Sequence, residues 1–149
     1  MSVNSNSKQA KILILDLPHL PTKELDNLVI HCSTIDELLA RSAENSAFIL
    51  IIACTSEKLT ELAPILTRIS IDTLYILNTG DEIKHFGESW WNKTTIVYNE
   101  KQLMRHLCTK SMLCFYNEGL EHRKTGNFGV ANVCFLDSIR ALNYSAKFI

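Results

Sequence analysis

Short, mostly apolar runs alternate with stretches of helical periodicity over the first two thirds of the chain. Apolar runs of about four to eight residues bounded by turn residues favour β-strands. The longest of them, Ala47–Cys54, is apolar on both faces, which is typical of a central parallel strand. The other predicted strands are Lys11–Asp16, Leu28–Cys32, Thr73–Leu77 and Thr94–Tyr98.

Helices are predicted between these strands. Ser33 or Thr34 caps the first helix, and Thr55 or Ser56 caps the second, in which Pro64 is expected to cause a bend or a break. Strands that alternate with helices imply parallel crossovers. The sequence therefore predicts an α/β fold, with a mostly parallel sheet of about five strands, flanking helices and the strand order 2-1-3-4-5.

After the last strand, the apolar positions follow the helical period only. Helical character is nearly continuous over residues 99–125, Lys124–Asn127 supplies a turn, and a second helix is predicted over Phe128–Ala146. The residues expected to face inward on this helix are Ala131, Phe135, Ile139 and Leu142. We expect a disordered leader (1–9), an α/β domain (10–111), and a helical hairpin (112–149) that is packed on that domain or continuous with it.

Seven positions match those at which a tetratricopeptide repeat places its packing residues. They are Phe115, Gly119, Gly126, Phe128, Ala131, Phe135 and Ser138. The hairpin therefore resembles one such repeat, but His122 replaces an expected aromatic residue and Tyr144 stands where proline is usual. A single repeat cannot bury its own apolar face, so the resemblance implies that another element or a partner covers it.

The α/β part resembles a receiver domain of the flavodoxin-like class, without the residues that phosphoryl transfer requires. Such domains carry an acidic pair after the first strand, an aspartate after the third, Thr or Ser after the fourth, and a lysine after the fifth. Here the first strand ends in Asp16 alone and the third in Cys54, whereas Thr79 and Lys101 fit the pattern. The resemblance therefore implies a chemically silent receiver, with neither a phosphoacceptor nor a Mg²⁺ site.

Three alternatives remain open at this stage. Cys54 and His31 follow predicted strands and could form the dyad of a hydrolase. A Toll/interleukin-receptor-like NAD hydrolase would need a helical glutamate, for which the candidates are Glu57, Glu61 and Glu88. A small-molecule sensor would have its pocket at the carboxyl ends of the strands. The residues expected around that pocket are Asp16, Cys54, Asn78 and Thr79.

Composition and charge narrow the remaining classes. The net charge is −1 without a basic stripe, which argues against nucleic-acid binding, and no apolar run reaches the length of a membrane span. The five cysteines form no CxxC pair, so neither a zinc site nor another cofactor is expected. Since no secretory signal is present, we expect reduced thiols and a cytoplasmic location.

These observations favour a non-catalytic module for protein–protein interaction or regulation in a larger signalling protein. The layout is similar to α/β modules ahead of tetratricopeptide arrays or ADP-ribosyltransferase domains in invertebrate multidomain proteins. We expect the hairpin to bind a protein partner or a second copy of the chain, as a weak dimer. The residues expected to make this contact are Phe115, Leu120, Phe135 and Ile139.

Overall fold

A five-stranded parallel sheet forms the centre of the molecule in a computed structural model that describes residues 9–80, 83 and 89–149. The strands are β1 (Ala10–Leu15), β2 (Val29–Cys32), β3 (Ile49–Thr55), β4 (Thr73–Leu77) and β5 (Thr94–Val97). Their order is β2-β1-β3-β4-β5, and every neighbouring pair is parallel. The predicted α/β class and strand order are confirmed.

Within the described residues, four α-helices accompany the sheet: α1 (Ile35–Glu44), α2 (Leu59–Leu66), α3 (Glu100–Lys124) and α4 (Phe128–Ser145). Short 3₁₀ turns cover Lys23–Leu25, Ser56–Lys58, Ser89–Lys93 and Ala146–Phe148. The second predicted helix therefore starts with a 3₁₀ turn at Ser56 and ends at Leu66, two residues after Pro64. Most of the predicted leader and of the segment between β4 and Ser89 lies outside the described residues.

Two of the predicted helix starts, those of α1 and α3, are confirmed by their caps. The cap predicted at Thr55 or Ser56 is wrong, because α2 begins after Lys58 and neither it nor the 3₁₀ turn before it has a side-chain cap. The Thr34 hydroxyl accepts a hydrogen bond from the Glu37 amide at 3.1 Å, so Thr34 rather than Ser33 caps α1. At α3, the Asn99 side chain accepts from the Gln102 amide at 2.8 Å. Such capping side chains satisfy helix amides that have no partner within the helix.

Each face of the sheet is covered by its own core. We call them the α1–α2 core, which contains Leu13, Ile52 and Trp90, and the α3–α4 core, which contains Ile12 and Ile51. Alternate residues of β1 and β3 thus serve opposite cores, because successive strand residues point to opposite faces. A central strand buried on both faces explains why β3 is apolar throughout.

The connection from β1 to β2 contains only a 3₁₀ turn, so it supplies no crossover helix to the α3–α4 core. Leu20 and Leu25 of this connection are buried there, and the C-terminal half of α4 packs beside them through Ala141. The Tyr144 hydroxyl donates a hydrogen bond to the Pro21 carbonyl. The end of α4 therefore occupies the place on the sheet that a first crossover helix takes in a doubly wound fold.

Helix α3 crosses the whole sheet and continues past it. It starts at the carboxyl ends of the strands, where Glu100 lies 2.7 Å from His19. At the amino ends, Lys110 pairs with Asp72 at 2.8 Å, just before β4. The remaining turns of α3 project beyond the sheet together with the start of α4. One continuous helix thus spans the boundary predicted between residues 111 and 112.

Candidate functional site

The carboxyl ends of the central strands are closed by side-chain contacts. Asp16 follows β1 with a positive φ of 56°, and its carboxylate lies 3.8 Å from Lys58 Nζ. Ser56, after β3, accepts a hydrogen bond from the Thr79 amide at 3.0 Å. Asn78 caps its own turn by accepting from the Gly80 amide at 2.8 Å. Asp16, Asn78 and Thr79 therefore do lie along this edge, as expected for the sensor hypothesis.

An open depression of about 550 Å³ lies at the β4–β5 end of this edge. Asn78, Thr79 and Lys101 line it, together with the exposed Tyr98. Cys54 does not take part, because its side chain is fully buried below the edge in the α1–α2 core. The depression thus brings together two of the four residues expected around a ligand pocket, Asn78 and Thr79, whereas Asp16 and Cys54 do not line it.

The Cys54–His31 dyad is not brought together. β1 lies between the strands that carry the two residues, and the side chains serve opposite faces of the sheet. His31 Nε2 lies 3.0 Å from the Thr22 hydroxyl instead. Burial raises the pKa of Cys54 to about 12, so its thiol stays protonated and is a poor nucleophile. The expectation of a catalytic pair failed because strand order was not combined with side-chain alternation.

The glutamates proposed for an NAD hydrolase are placed as follows. Glu57 lies in the 3₁₀ turn before α2, and Glu61 lies in the first turn of that helix. Both side chains are exposed to solvent, which is the ordinary environment of a helical carboxylate. Glu88 lies outside the described residues.

Helix α4 carries apolar side chains on its outer as well as its inner side. The buried side consists of small residues: Ala131, Cys134, Ser138 and Ala141. The outer side carries large apolar residues at intervals of three: Val130, Val133, Leu136, Ile139 and Leu142, each between 41 % and 57 % exposed. We call this row the α4 ridge. The inward orientation predicted for Ile139 and Leu142 is wrong, because small residues occupy the close contact with α3.

The four residues expected to bind a partner therefore have different environments. Phe115 is half-buried against the α3–α4 core, and Phe135 packs on the buried Gly119 and, at 5.7 Å between ring centroids, beside Tyr116. Leu120 is half-buried and lines a groove between α3 and the amino ends of the strands. Only Ile139 is well exposed, as part of the α4 ridge.

That groove has a volume of about 800 Å³ and a mixed lining. Ile49 and Asp72 line it from the sheet side, and Lys110, Leu113 and Glu118 line it from α3. Burial tends to raise the pKa of Asp72, but the hydrogen bonds from Lys110 and Thr73 outweigh it and the pKa is lowered. The groove therefore contains a fixed ion pair rather than a free charge at that point.

A cluster of three different metal-ligating side chains lies where α3 and α4 project beyond the sheet. Glu118 and His122 are four residues apart on α3, and Cys134 faces them from α4. Their ligand atoms all lie within 4.8 Å of one another. Burial and the neighbouring Glu118 carboxylate, which accepts its hydrogen bond, together raise the pKa of the Cys134 thiol to about 11.

This cluster was not predicted, because it contains a single cysteine and no CxxC pair. The signal that was present is the spacing of four between Glu118 and His122, which places both on one helix face. Cys134 joins them only through the turn and the packing of α4 on α3, and neither follows from local sequence. Sequence alone could thus have indicated two of the three groups.

Comparisons with known proteins leave the function to be argued from this geometry, since no family model, no curated protein and no solved structure matches the chain. Within the described ranges, none of the helices combines the length and the apolar character that a bilayer span needs. The fold defines a class, a parallel α/β domain of flavodoxin-like layout completed by a C-terminal helical pair.

Proposed function

We propose that this chain is a non-catalytic protein-interaction module that self-associates through the α4 ridge. The observation that carries the proposal is the row of five exposed, large apolar side chains on a helix whose buried side is made of small ones. Exposed apolar residues that form a contiguous patch mark interaction surfaces, whereas scattered ones do not. The separation of Cys54 from His31 supports the non-catalytic part.

The spacing of the ridge favours a helix as its partner. Side chains at intervals of three form one of the two ridge types that fit into the grooves of a facing helix. A two-fold axis between Leu136 and Ile139 would place Leu136 against the partner's Ile139. Val133 and Leu142 lie on opposite flanks of this central pair, because nine residues turn an α-helix by about 180°. The centre of the row, Leu136 and Ile139, is therefore complementary to an antiparallel copy of itself.

The charges of α4 favour a second copy over a foreign helix. Asp137 and Arg140 are the only charged residues of α4, and they lie beside the ridge, 3.4 Å apart at Oδ1 and Nη1. In the antiparallel arrangement, Arg140 lies within one turn of the partner's Asp137, so opposite charges meet across the interface. Such complementarity contributes to the choice of partner more than to affinity.

The area of the α4 ridge determines the affinity that we expect for the dimer. Five half-exposed aliphatic side chains fall short of the roughly 800 Å² per partner of a standard interface. We therefore expect a weak dimer with a dissociation constant of the order of 0.01–1 mM. Dimerisation in this range responds to local concentration, as a regulatory interaction module requires.

Light scattering after size-exclusion chromatography, over a range of protein concentrations, tests the proposal. Ile139→Asp should shift the monomer–dimer midpoint at least about tenfold, because it puts a charge into the apolar contact. Tyr98→Asp is the matched control, since Tyr98 is also large and exposed but lies at the opposite end of the sheet. Phe135→Asp should instead destabilise the fold, because Phe135 packs on Gly119.

Charge reversal separates self-association from binding of another protein. Asp137→Arg and Arg140→Asp should each weaken the dimer, because like charges then face each other. An equimolar mixture of the two variants should associate again, since every contact between the two chains pairs opposite charges. A wild-type chain that stays monomeric at about 1 mM, or a mixture no better than either variant, would overturn the proposal.

A further inference from the structure

The three side chains Glu118, His122 and Cys134 form a second candidate site, independent of the α4 ridge. Two come from α3 and one from α4, so the site depends on the packing of the two helices. We propose that they bind one zinc ion, which joins the projecting ends of α3 and α4. No part of this proposal relies on self-association.

The three ligand atoms are at most slightly farther apart than they would be around a bound zinc ion. Zinc lies about 2.0–2.3 Å from nitrogen, oxygen and sulfur ligands in tetrahedral geometry, which places two ligand atoms about 3.3–3.6 Å apart. His122 Nε2 lies 3.6 Å from Glu118 Oε1. Because all three ligand atoms lie within 4.8 Å of one another, side-chain rotations alone would bring them to the ion.

The chemistry of the three groups favours zinc over harder cations. A thiolate and an imidazole are the ligands that zinc and similar divalent transition metals prefer, whereas Ca²⁺ and Mg²⁺ prefer oxygen alone. Coordination replaces the Cys134 Sγ–H bond by an Sγ–Zn bond and releases one proton to solvent. The thiolate and the Glu118 carboxylate then balance the two positive charges of the ion, and His122 binds as neutral imidazole.

The surroundings hold the ligands in place. Cys134 is buried and the Glu118 side chain is only 11 % exposed, so both are oriented by the contact between α3 and α4. Gln9, just before β1, donates a hydrogen bond to Glu118 Oε1 at 3.4 Å, which connects the cluster to the sheet. Such outer contacts orient metal ligands.

Three protein ligands leave a fourth tetrahedral position. Glu118 also lines the groove of about 800 Å³ between α3 and the sheet, so this position can be reached by water or by a donor from another molecule. The bound ion would add a further link between the two helices, beside the contact of Phe135 with Gly119. It would therefore stabilise the folded chain by linkage, since the unfolded chain has no preformed site.

Cobalt binding to the metal-stripped chain of 149 residues tests the proposal. A thiolate bound to Co²⁺ gives a charge-transfer absorption that oxygen ligands do not give, and zinc should displace it. We expect saturation at one ion per chain. Cys134→Ser should abolish the charge-transfer band, whereas Cys114→Ser, which changes another α3–α4 thiol outside the cluster, should keep it.

Glu118→Gln and Glu121→Gln form a matched pair, because each removes one carboxylate from α3 but only the first lies in the cluster. Glu118→Gln should weaken zinc binding at least about tenfold, and Glu121→Gln should leave it unchanged. Zinc should raise the melting temperature of the wild type and of Glu121→Gln, but not of Cys134→Ser. Absence of the charge-transfer band in the wild type, or its persistence in Cys134→Ser, would overturn the proposal; circular dichroism verifies that each variant is folded.

Discussion

The ring of Phe135 lies directly against the backbone of Gly119. A Cβ added to Gly119 would be 2.6 Å from Phe135 Cε1 and 2.8 Å from Phe135 Cδ1, which is closer than non-bonded carbon atoms approach a Cβ in folded proteins. The glycine thus allows α3 and α4 to approach while a large ring fills the space beside them. Like this glycine, the residues in the close contact between α3 and α4 are mostly small. The large aliphatic side chains of α4 therefore face outward.

Gly119→Ala should therefore lower the free energy of unfolding by about 1 kcal/mol. Overpacking costs about 1–3 kcal/mol, and the higher helix propensity of alanine returns less than about 1 kcal/mol of it. Gly129→Ala is the matched control, since open space surrounds Gly129 on α4. This variant should be stabilised by about 0.5 kcal/mol. Urea denaturation measures both, and equal effects at the two glycines would contradict the close contact.

The helix caps give a second matched pair. Asn99→Ala should cost about 1 kcal/mol of stability, because the Asn99 side chain accepts a hydrogen bond from the Gln102 amide. Asn127 precedes α4 without such a side-chain bond, so Asn127→Ala should cost less than half as much. Chemical denaturation of the two variants decides the comparison. A larger loss at Asn127 would mean that the α4 start depends on a contact not described above.

Alkaline pH should destabilise the fold through Cys54. Burial raises the pKa of this thiol from 9.0 to about 12, so the folded chain keeps a proton that the unfolded chain loses. The contribution is complete below pH 9 and is lost as pH rises from 9 towards 12. The stability lost between pH 8 and pH 10 through this thiol is about 1 kcal/mol.

The measurement for Cys54 is the change in unfolding free energy between pH 8 and pH 10, compared between the wild type and Cys54→Ala. The variant is expected to be less stable at both values, but its decline should be smaller by about 1 kcal/mol. Comparing the two declines cancels the cost of the cavity. Parallel declines would show that the Cys54 thiol titrates normally and is not enclosed in the core.

The α/β part and the helical pair should unfold as one unit. Trp90 lies in the α1–α2 core and reports on it by fluorescence, whereas α3 and α4 account for most of the helical circular dichroism. Both helices pack on the same sheet face through Leu107 and Ala141. The two signals should therefore give coincident urea transitions. Separate midpoints would support two domains divided near residues 111 and 112.

Local sequence patterns were sufficient to predict most strands of the sheet. β4 was predicted with its observed bounds, and Ala47–Cys54 overlaps β3, because a central parallel strand is apolar on both faces. Capping chemistry indicated the start of α1 at Ser33 or Thr34, and helical periodicity indicated the start of α3 near Asn99. These signals are local, so they can be recognised without knowing the tertiary structure.

The orientation of α4 could not be predicted in this way. Ala131 and Phe135 were correctly predicted to face inward. The other large residues gave a strong periodic signal too, so Ile139 and Leu142 were assigned to the core, whereas Ser138 and Ala141 are the residues buried there. Hydrophobicity scales favour size, but close helix packing favours small residues. Which residues of α4 face inward depends on the surface of α3 that they contact. The space that Gly119 leaves on α3 affects this orientation only once the two helices are packed together.

For the candidate sites, too, local patterns were sufficient only where no knowledge of tertiary packing was needed. Asp16, Asn78 and Thr79 reached the expected edge because the carboxyl ends of parallel strands share one side of a sheet. The pairing of Cys54 with His31 failed, since it depends on which face each side chain takes. The metal-ligating cluster joins residues from two helices and required the tertiary structure.

The position of α4 on the sheet bears on how the chain is synthesised. All five strands leave the ribosome before α4 does, yet α4 covers the area that the β1–β2 connection leaves open. Until residues near Tyr144 have emerged, Leu20 and Leu25 lack their packing partners on one face of an otherwise complete sheet. Emerging chains that expose apolar surface in this way are prone to aggregate and are bound by chaperones. One face of the sheet therefore stays incompletely covered until α4 has been translated.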